Sequence, residues 1–483
     1  MSPMRSMFVF AAASFATTAA AQAEPAETRR ITTPFGPGRV LHDQPKAEEA
    51  KYTLWLCYPG DRGEYPDHRQ YLEDLQVRWQ AKGVAIALAM SPEAGKRVAE
   101  GHPRFVVATT GHDFPPRAEV YAGASTTTVM LFAGDEMLHA QNGLDGAVDV
   151  LNSYIDGGAD ALGNEQSQQL DFLVGQIPDG GDYGSEVDRY LGLFPRSGRA
   201  HAAKVLFHWW CEGDLDAART AVDAGIDALS RDSVPMTVFA DLVLRGDRHD
   251  ASVAKKLAVA MAPAAAAAPD GVFTQLVHLR ALLRAGQDRV AGRIIATLPK
   301  QLEGQPHHQI VFAETLMEGD TPAAYRDVAQ RALAAAENGG AGDLGLDRWI
   351  FGARHKVLKR CGDEQAAAKL MVEYRKAAGE GRDLNNDAWY LIVQTPTMGR
   401  FDTLALAQAQ ELERQMGDAI SFGNKDTVAL AYFVNGHVDK AVELQTDATE
   451  QGGNQAVYVG RLTRFRAAQE ELAAWREQGA DKK

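Results

Sequence analysis

The chain has 483 residues and a formal net charge of −14, from 50 basic and 64 acidic side chains. This length is too great for one hydrophobic core and predicts more than one domain. Because an acidic surface repels phosphate groups, the charge excludes nucleic acids and anionic membrane surfaces as expected partners.

Residues 1–23 have the pattern of a secretory signal peptide. Arg5 provides a positive charge, the residues from Met7 to Ala20 are apolar or small, and Ala21-Gln22-Ala23 fits the cleavage signal. The apolar run is short for a bilayer span, which needs about 20 residues. The pattern predicts cleavage after Ala23 and a periplasmic or secreted protein with no membrane span.

Three cysteines follow the cleavage site, at Cys57, Cys211 and Cys361. An exported protein meets an oxidising compartment, but an odd number of distant cysteines does not form a disulfide framework. Their spacing also fits no metal-binding pattern. We expect a protein without a structural metal or a cofactor.

Residues 24–157 have the alternating pattern of a small α/β domain. Apolar runs of strand length occur at Tyr52–Tyr58, Val84–Met90, Phe105–Thr110 and Thr126–Phe132. A helical period follows the first run and stops at Gly83, so the first two strands form a parallel unit. A turn at Gly134 leads to a fifth strand, and a helix beginning at Leu144 closes the domain.

The stretch LWLCYPGDRGEYPDH, from Leu54 to His68, has the outline of a redox active-site loop. Thioredoxin-like domains of the exported redoxin type end a strand at a Cys-x-x-Cys motif, and an acidic-x-Pro sequence follows it. Glu64-Tyr65-Pro66 occupies the place of that second sequence. The chain resembles this family from about Tyr52 to Tyr154.

The resemblance implies that the redox chemistry has been lost. Tyr58 and Asp61 occupy the two cysteine places, and Thr126 or Thr127 occupies the place of the family's cis-proline. Thiol–disulfide exchange requires an attacking and a resolving sulfur within bonding reach. We therefore expect a redox-inactive domain.

Cys57 has two interpretations. As a thiol near a helix N-terminus, where thiol pKa values fall, it would act as a single-cysteine oxidoreductase or peroxidase assisted by His68. As a residue of a buried strand, it would be a small apolar side chain. Cys57 precedes the expected nucleophile place by one residue, and strand alternation then turns it to the other face. The second interpretation is favoured.

Residues 158–186 are rich in Gly, Asp and Gln and are expected to form a linker, whereas residues 187–478 have helical periods rich in Ala and Leu. Seven glycine turns recur in the second region, at Gly213, Gly246, Gly286, Gly319, Gly362, Gly399 and Gly436. Six of them are followed five residues later by an alanine: Ala218, Ala251, Ala291, Ala324, Ala367 and Ala441. The unit after Gly399 has Leu404 at that place, followed by Ala405.

The spacing has a mechanical explanation. Each glycine is expected to end one helix in a left-handed cap, and a polar residue then begins the next helix. The alanine would lie where the two helices come close. The segment from Asp426 to Ala448 best shows that the region resembles the tetratricopeptide repeat, which implies stacked helix pairs forming a solenoid.

The predicted fold is therefore an α/β thioredoxin-like domain followed by an all-α, tetratricopeptide-like solenoid. The expected function is that of an exported, non-catalytic adaptor that binds a protein or peptide segment in the groove of the repeats. A thiol enzyme that uses Cys57 and His68 remains the alternative. A purely structural envelope protein is a third interpretation that the sequence does not separate from the first.

Overall fold

The computed structural model describes residues 30–33, 36–42, 50–58, 65–90, 92–101, 103, 106–110, 128–133, 136–142, 144, 148, 151, 170, 173–177, 183–246, 250–339, 344–378, 383–393 and 397–480. The predicted signal peptide lies outside these residues, as do Asp61, Glu64, Thr126 and Thr127. The described residues fall into two compact units. The first contains the residues up to 151 except Pro66–Gln70, and the second contains Pro66–Gln70 and the residues from Leu170 onward.

The described part of the first unit contains a seven-stranded sheet. Its strands are β1 (Arg30–Thr33), β2 (Gly36–His42), β3 (Tyr52–Cys57), β4 (Val84–Met90), β5 (Val106–Thr110), β6 (Thr128–Ala133) and β7 (Glu136–Asn142). Their order across the sheet is β1-β2-β5-β4-β3-β6-β7. The pairs β3–β4 and β4–β5 are parallel, and the other pairs are antiparallel.

The sheet centre follows from the apolar sequence VAIALAM. Every residue of β4 is buried, as expected for a strand covered on both faces. Helix α1 (Tyr65–Gln80) is tied to this strand by Gln76. The Gln76 side chain donates to the carbonyl of Val84 at 3.1 Å and accepts from the amide of Ile86 at 2.8 Å. These two hydrogen bonds fix the position of α1 along β4.

The sequence predictions for β3, β4, β5 and β6 are confirmed to within two residues at each end, and the predicted fifth strand is β7. The sequence analysis missed β1, β2 and helix α2 (Pro92–Glu100). In the predicted closing helix, the described residues Leu144, Val148 and Leu151 are helical and buried.

The described part of the second unit is all helical. Its α-helices are α3 (Gly184–Leu193), α4 (Gly198–Phe207), α5 (Leu215–Leu229), α6 (Ser233–Gly246), α7 (Ala251–Ala267), α8 (Val272–Arg284), α9 (Asp288–Gln301), α10 (Pro306–Thr315), α11 (Arg326–Gly339), α12 (Leu344–Arg360), α13 (Glu364–Ala378), α14 (Leu384–Val393), α15 (Asp402–Met416), α16 (Phe422–Val434), α17 (Val438–Gln451) and α18 (Ala456–Ala480). A π-helical segment, His208–Glu212, extends α4. Helix α3 begins at Gly184, within the last three residues of the predicted linker.

From α4 to α17 the helices form seven consecutive pairs. The fourth residue of the second helix is a buried alanine in every pair: Ala218, Ala254, Ala291, Ala329, Ala367, Ala405 and Ala441. A larger side chain there would push the two helices apart, so the repeat depends on this position.

Two of the alanines named from the sequence are not at this position. Ala251 and Ala324 are exposed, and Ala254 and Ala329 take their place. The register therefore has to be counted from the start of the second helix. Asp250 caps α7 by accepting from the amides of Ser252 and Val253, four residues after Gly246.

The expected left-handed glycine caps occur at five of the seven turns. Gly213, Gly286, Gly362, Gly399 and Gly436 have φ between 66° and 83°. Gly246 instead lies inside α6, and Gly319 is not left-handed. In these two turns the second helix begins five and seven residues after the glycine, instead of two or three.

The last helix of the second unit, α18, packs against the first helix pair, so the array of helix pairs is closed. A Cβ on Gly460 of α18 would lie 2.2 Å from the carbonyl oxygen of Cys211, in the first pair. A Cβ on Gly213 would lie 2.7 Å from the amide nitrogen of Arg464. The last helix thus meets the first turn with backbone against backbone, which only glycine permits.

Candidate functional site

The pair predicted from the sequence, Cys57 and His68, is only partly described. Cys57 is the last residue of β3 and pairs with Ala89 and Thr128, but its side chain lies outside the described set. His68 lies on α1 and is buried. The thiol-enzyme interpretation therefore stays a prediction.

The other two cysteines are half-buried and not disulfide-bonded. The Cys211 thiol donates to the carbonyl oxygen of Ile177 at 3.4 Å. Burial raises the pKa of Cys361, which keeps that thiol protonated.

The helical unit contains a group of buried ionisable side chains that the sequence analysis did not identify. We call this group the central charged cluster: Asp241, Arg245, Arg280, Arg284, Glu314, Glu318, Lys356 and Arg400. They come from four of the first helices, from the turn after α10 and from the turn before α15. A buried charge is stable only where it is paired, so the pairing decides what the cluster does.

Asp241 holds two arginines. Its carboxylate accepts from Arg280 at 2.7 Å and lies 2.8 Å from a guanidinium nitrogen of Arg245. Although burial opposes ionisation, Arg245 and Arg280 lower the pKa of Asp241 below its usual value. This carboxylate is therefore ionised at neutral pH and links α6 to α8.

The Glu318 carboxylate is the second acidic group of the cluster that pairs with two cations. It accepts from Arg284 at 2.8 Å and from Lys356 at 2.6 Å, so it joins α8 and α12 through a turn of the intervening pair. Arg284 also donates to the carbonyl oxygen of Leu244. These ion pairs connect three consecutive helix pairs at the C-terminal ends of their first helices, α8, α10 and α12.

Glu314 and Arg400 face each other without a hydrogen bond. Their nearest charged atoms are 3.9 Å apart, and both side chains are at most 1% exposed. Neither carboxylate oxygen of Glu314 has a hydrogen-bond partner among the described residues. Burial raises the pKa of Glu314 and lowers that of Arg400 to about 10. Both shifts favour the neutral form.

The guanidinium group of Arg400 also contacts an aromatic ring. Its guanidinium carbon lies 5.2 Å from the centre of the Trp349 ring, which packs edge-on against Phe401 at 4.8 Å. The neighbouring Gly399 reaches the backbone of α6, where a Cβ would lie 2.8 Å from the carbonyl oxygen of Arg245. The sixth pair thus touches the second.

A neutral histidine borders the cluster. Burial lowers the pKa of His355 to about 4, with a smaller effect from Lys359. Its Nδ1 lies 3.0 Å from the hydroxyl oxygen of Thr403. The imidazole is therefore uncharged at neutral pH and links α12 to α15.

Within the described residues, no group of three or more His, Cys, Asp and Glu side chains could hold a metal ion. None of the described helices is both long enough and apolar enough to cross a bilayer. No family model matches the chain, and no curated protein matches it.

The first helices also present exposed aromatic side chains. Tyr390 on α14 is 50% exposed, and Phe422 at the start of α16 is 38% exposed. Phe422 packs edge-on against Tyr458 of α18 at 5.9 Å. Exposed aromatic residues are enriched where proteins bind one another.

We expect Glu314→Gln to gain stability relative to the wild type as the pH rises from 4 to 7. The pKa of the folded Glu314 carboxyl is raised above the unfolded value of about 4.3, so its ionisation opposes folding above that pH. The glutamine does not ionise and avoids this loss. Urea unfolding at several pH values, followed by far-UV circular dichroism, measures the difference.

Glu318→Gln is the matched control. This residue lies one helical turn further on and is hydrogen-bonded to Arg284 and Lys356, so removal of its charge should lower stability at neutral pH. The same sign for both variants at pH 7 would contradict the assigned difference between the two carboxyls.

Proposed function

We propose that this protein is an exported, non-catalytic scaffold that binds a protein or peptide partner through its tetratricopeptide-like helical array. The observation that carries the proposal is the buried alanine at the fourth residue of seven successive second helices. Stacked helix pairs of this kind form extended surfaces whose use is binding.

In this proposal the first unit is a redox-inactive, thioredoxin-like domain. Its strand β3 leads to the sequence YPGD, which has no cysteine, and helix α1 follows. The strand order β4-β3-β6-β7, with one parallel and two antiparallel pairs, supports the resemblance. A domain of this type without the Cys-x-x-Cys pair lacks the two sulfurs that thiol–disulfide exchange requires, so we assign it a role in surface contacts.

The partner surface that we propose lies on the first helices. The inner residues of these helices are engaged with one another in the central charged cluster, whereas Tyr390 and Phe422 are exposed. A protein segment can bury these rings and gain apolar contact area. The second helices instead expose isolated valines, Val259 and Val372.

Photo-crosslinking tests the proposal. A photoreactive phenylalanine derivative is placed at Tyr390 or at Phe422 in the full chain, and the exported fraction is irradiated. We expect a discrete crosslinked protein from both positions.

The controls carry the same group at Val259 or Val372, which are 71% and 64% exposed. Greater exposure without crosslinking would show that capture is specific. Equal products from all four positions, or no product from Tyr390 and Phe422, would overturn the proposed function.

A further inference from the structure

Three buried histidines lie in the array of helix pairs. His201 on α4, His278 on α8 and His355 on α12 are between 1% and 7% exposed. They belong to the first helices of the first, third and fifth pairs, and successive members are 77 residues apart. The helical unit therefore buries an imidazole in every second pair of its first five.

Each of the three rings lies between two helix pairs. His201 packs edge-on against Phe239 of α6, with the ring centres 6.4 Å apart. His278 lies against the backbone of Ala258 on α7. His355 connects α12 to α15. A positive charge on any of these rings therefore acts on the stacking of one helix pair on another.

His201 and His278 have no acidic partner that would stabilise a positive charge. Helices α3, α5 and α6 pack against α4, and none of their described charged side chains contributes to the pKa of His201, which burial lowers. The same is true of His278 and the described parts of α6, α7, α9 and α10, which surround α8. Backbone groups of Pro195 and Ala258 oppose the effect of burial without cancelling it.

His355 has charged neighbours of both signs. Burial and, to a smaller extent, Lys359 on the same helix lower the pKa of His355 to about 4, against the opposing effect of Glu364 on α13. No other charged group on the described helices that pack against α12, which are α10, α11, α13 and α15, contributes to this shift. The folded unit thus resists protonation of all three rings, whereas an unfolded chain accepts these protons near pH 6.5.

We propose that His201, His278 and His355 form a pH sensor of the helical array: in an acidic medium they take up protons, and the stacking of neighbouring helix pairs weakens. The sign follows from linkage. A histidine whose folded-state pKa is lowered has no effect of this kind well above pH 6.5, and it destabilises the folded state progressively as the pH falls toward the folded value. Glu314 acts in the opposite direction, because its raised pKa favours the folded state in acid.

Urea unfolding of the full chain at pH 7 and at pH 5 tests the sensor. With a pKa of about 6.5 unfolded and about 4 folded, His355 alone should raise the unfolding equilibrium constant about 20-fold between these two pH values. In His355→Asn the rise should be smaller by that factor, because the amide keeps a polar atom near the place of Nδ1 but does not titrate. His201→Gln and His278→Gln should each reduce the rise as well, and the triple variant should reduce it most.

His437→Gln is the matched control. His437 is exposed at the start of α17, where water solvates its ring in either form, so the rise between pH 7 and pH 5 should equal that of the wild type. Each result compares two pH values within one variant. A substitution that only lowers stability by the same amount at both pH values therefore does not imitate the expected result.

Hydrogen exchange locates the effect in the array. The wild type and His355→Asn are compared at the same pH, which cancels the dependence of intrinsic exchange on acid. At pH 5 the amides of α12 and α15 should exchange more slowly in the variant than in the wild type, and at pH 7 this difference should vanish or reverse.

Two results would overturn the sensor. One is a triple variant whose unfolding constant rises between pH 7 and pH 5 as much as that of the wild type. The other is exchange in His355→Asn at pH 5 that is no slower at α12 and α15 than in the wild type. If the triple variant does not fold at pH 7, the three single variants decide the same question.

Discussion

Replacement of Ala254 by leucine is expected to lower the free energy of unfolding of the helical unit by about 1–3 kcal/mol, the usual effect of extra methylenes in a packed interior. Ala254 is the fourth residue of α7 and is 2% exposed. Leucine has a higher volume but a similar helix propensity, so the effect reports packing. Urea unfolding followed by circular dichroism at 222 nm measures it.

Ala251→Leu is the control within the same helix. Ala251 is exposed, so the change should stay within about 0.5 kcal/mol. The comparison decides between two registers, one counted from the glycine and one counted from the start of the helix. If Ala251→Leu lowered the free energy of unfolding and Ala254→Leu did not, the position would have to be counted from the glycine. That result would contradict the repeat described above.

Asp241→Leu is expected to have the largest effect, a loss of about 3–5 kcal/mol, because it leaves buried cations without their carboxylate. Arg245 and Arg280 both pair with this residue. The measurement is again urea unfolding at neutral pH. Asp223→Ala provides the surface control, since Asp223 pairs with Lys256 where both side chains are more than a third exposed. Its loss should be at most about 1 kcal/mol.

A triple variant separates the two explanations of that loss. Asp241→Leu combined with Arg245→Met and Arg280→Met removes all three charges and keeps a similar volume. If unpaired cations cause the destabilisation, the triple variant should be more stable than Asp241→Leu alone. A triple variant that is less stable would mean that the pairs themselves contribute net stability.

The sheet centre could be predicted from the sequence because its signal is local. Val84–Met90 is a continuous apolar run bounded by turns, and such a run has few alternatives to a buried strand. Strand β2 was missed because GPGRVLH carries two glycines and a proline, which indicate a loop. Its pairing with β1 and β5 makes it a strand.

The central charged cluster could not be predicted for a related reason. Asp241 and Arg245 are four residues apart on one helix, a spacing that normally indicates a solvated pair on a helix surface. Their burial depends on Arg280, 35 residues after Arg245, and on the Gly399 turn, which approaches α6 from the sixth helix pair. A single sequence gives no signal for contacts at that separation.

The positions of the repeat units could be predicted from the sequence only in part. Gly213, Gly286, Gly362, Gly399 and Gly436 mark true caps, and four of their units place alanine as expected. The remaining two glycines precede insertions, and the packing requirement moved to Ala254 and Ala329. The sequence showed that alanine was needed, whereas the position of each helix start required the structure.

The meeting of Gly460 with Cys211 has a consequence for how this array could have evolved. Open solenoids lengthen when a repeat is duplicated, since each unit touches only its neighbours. Here an added or deleted helix pair would separate the two partners of that contact. We therefore expect chains of this type to keep the number of helix pairs and to differ in their side chains and loops.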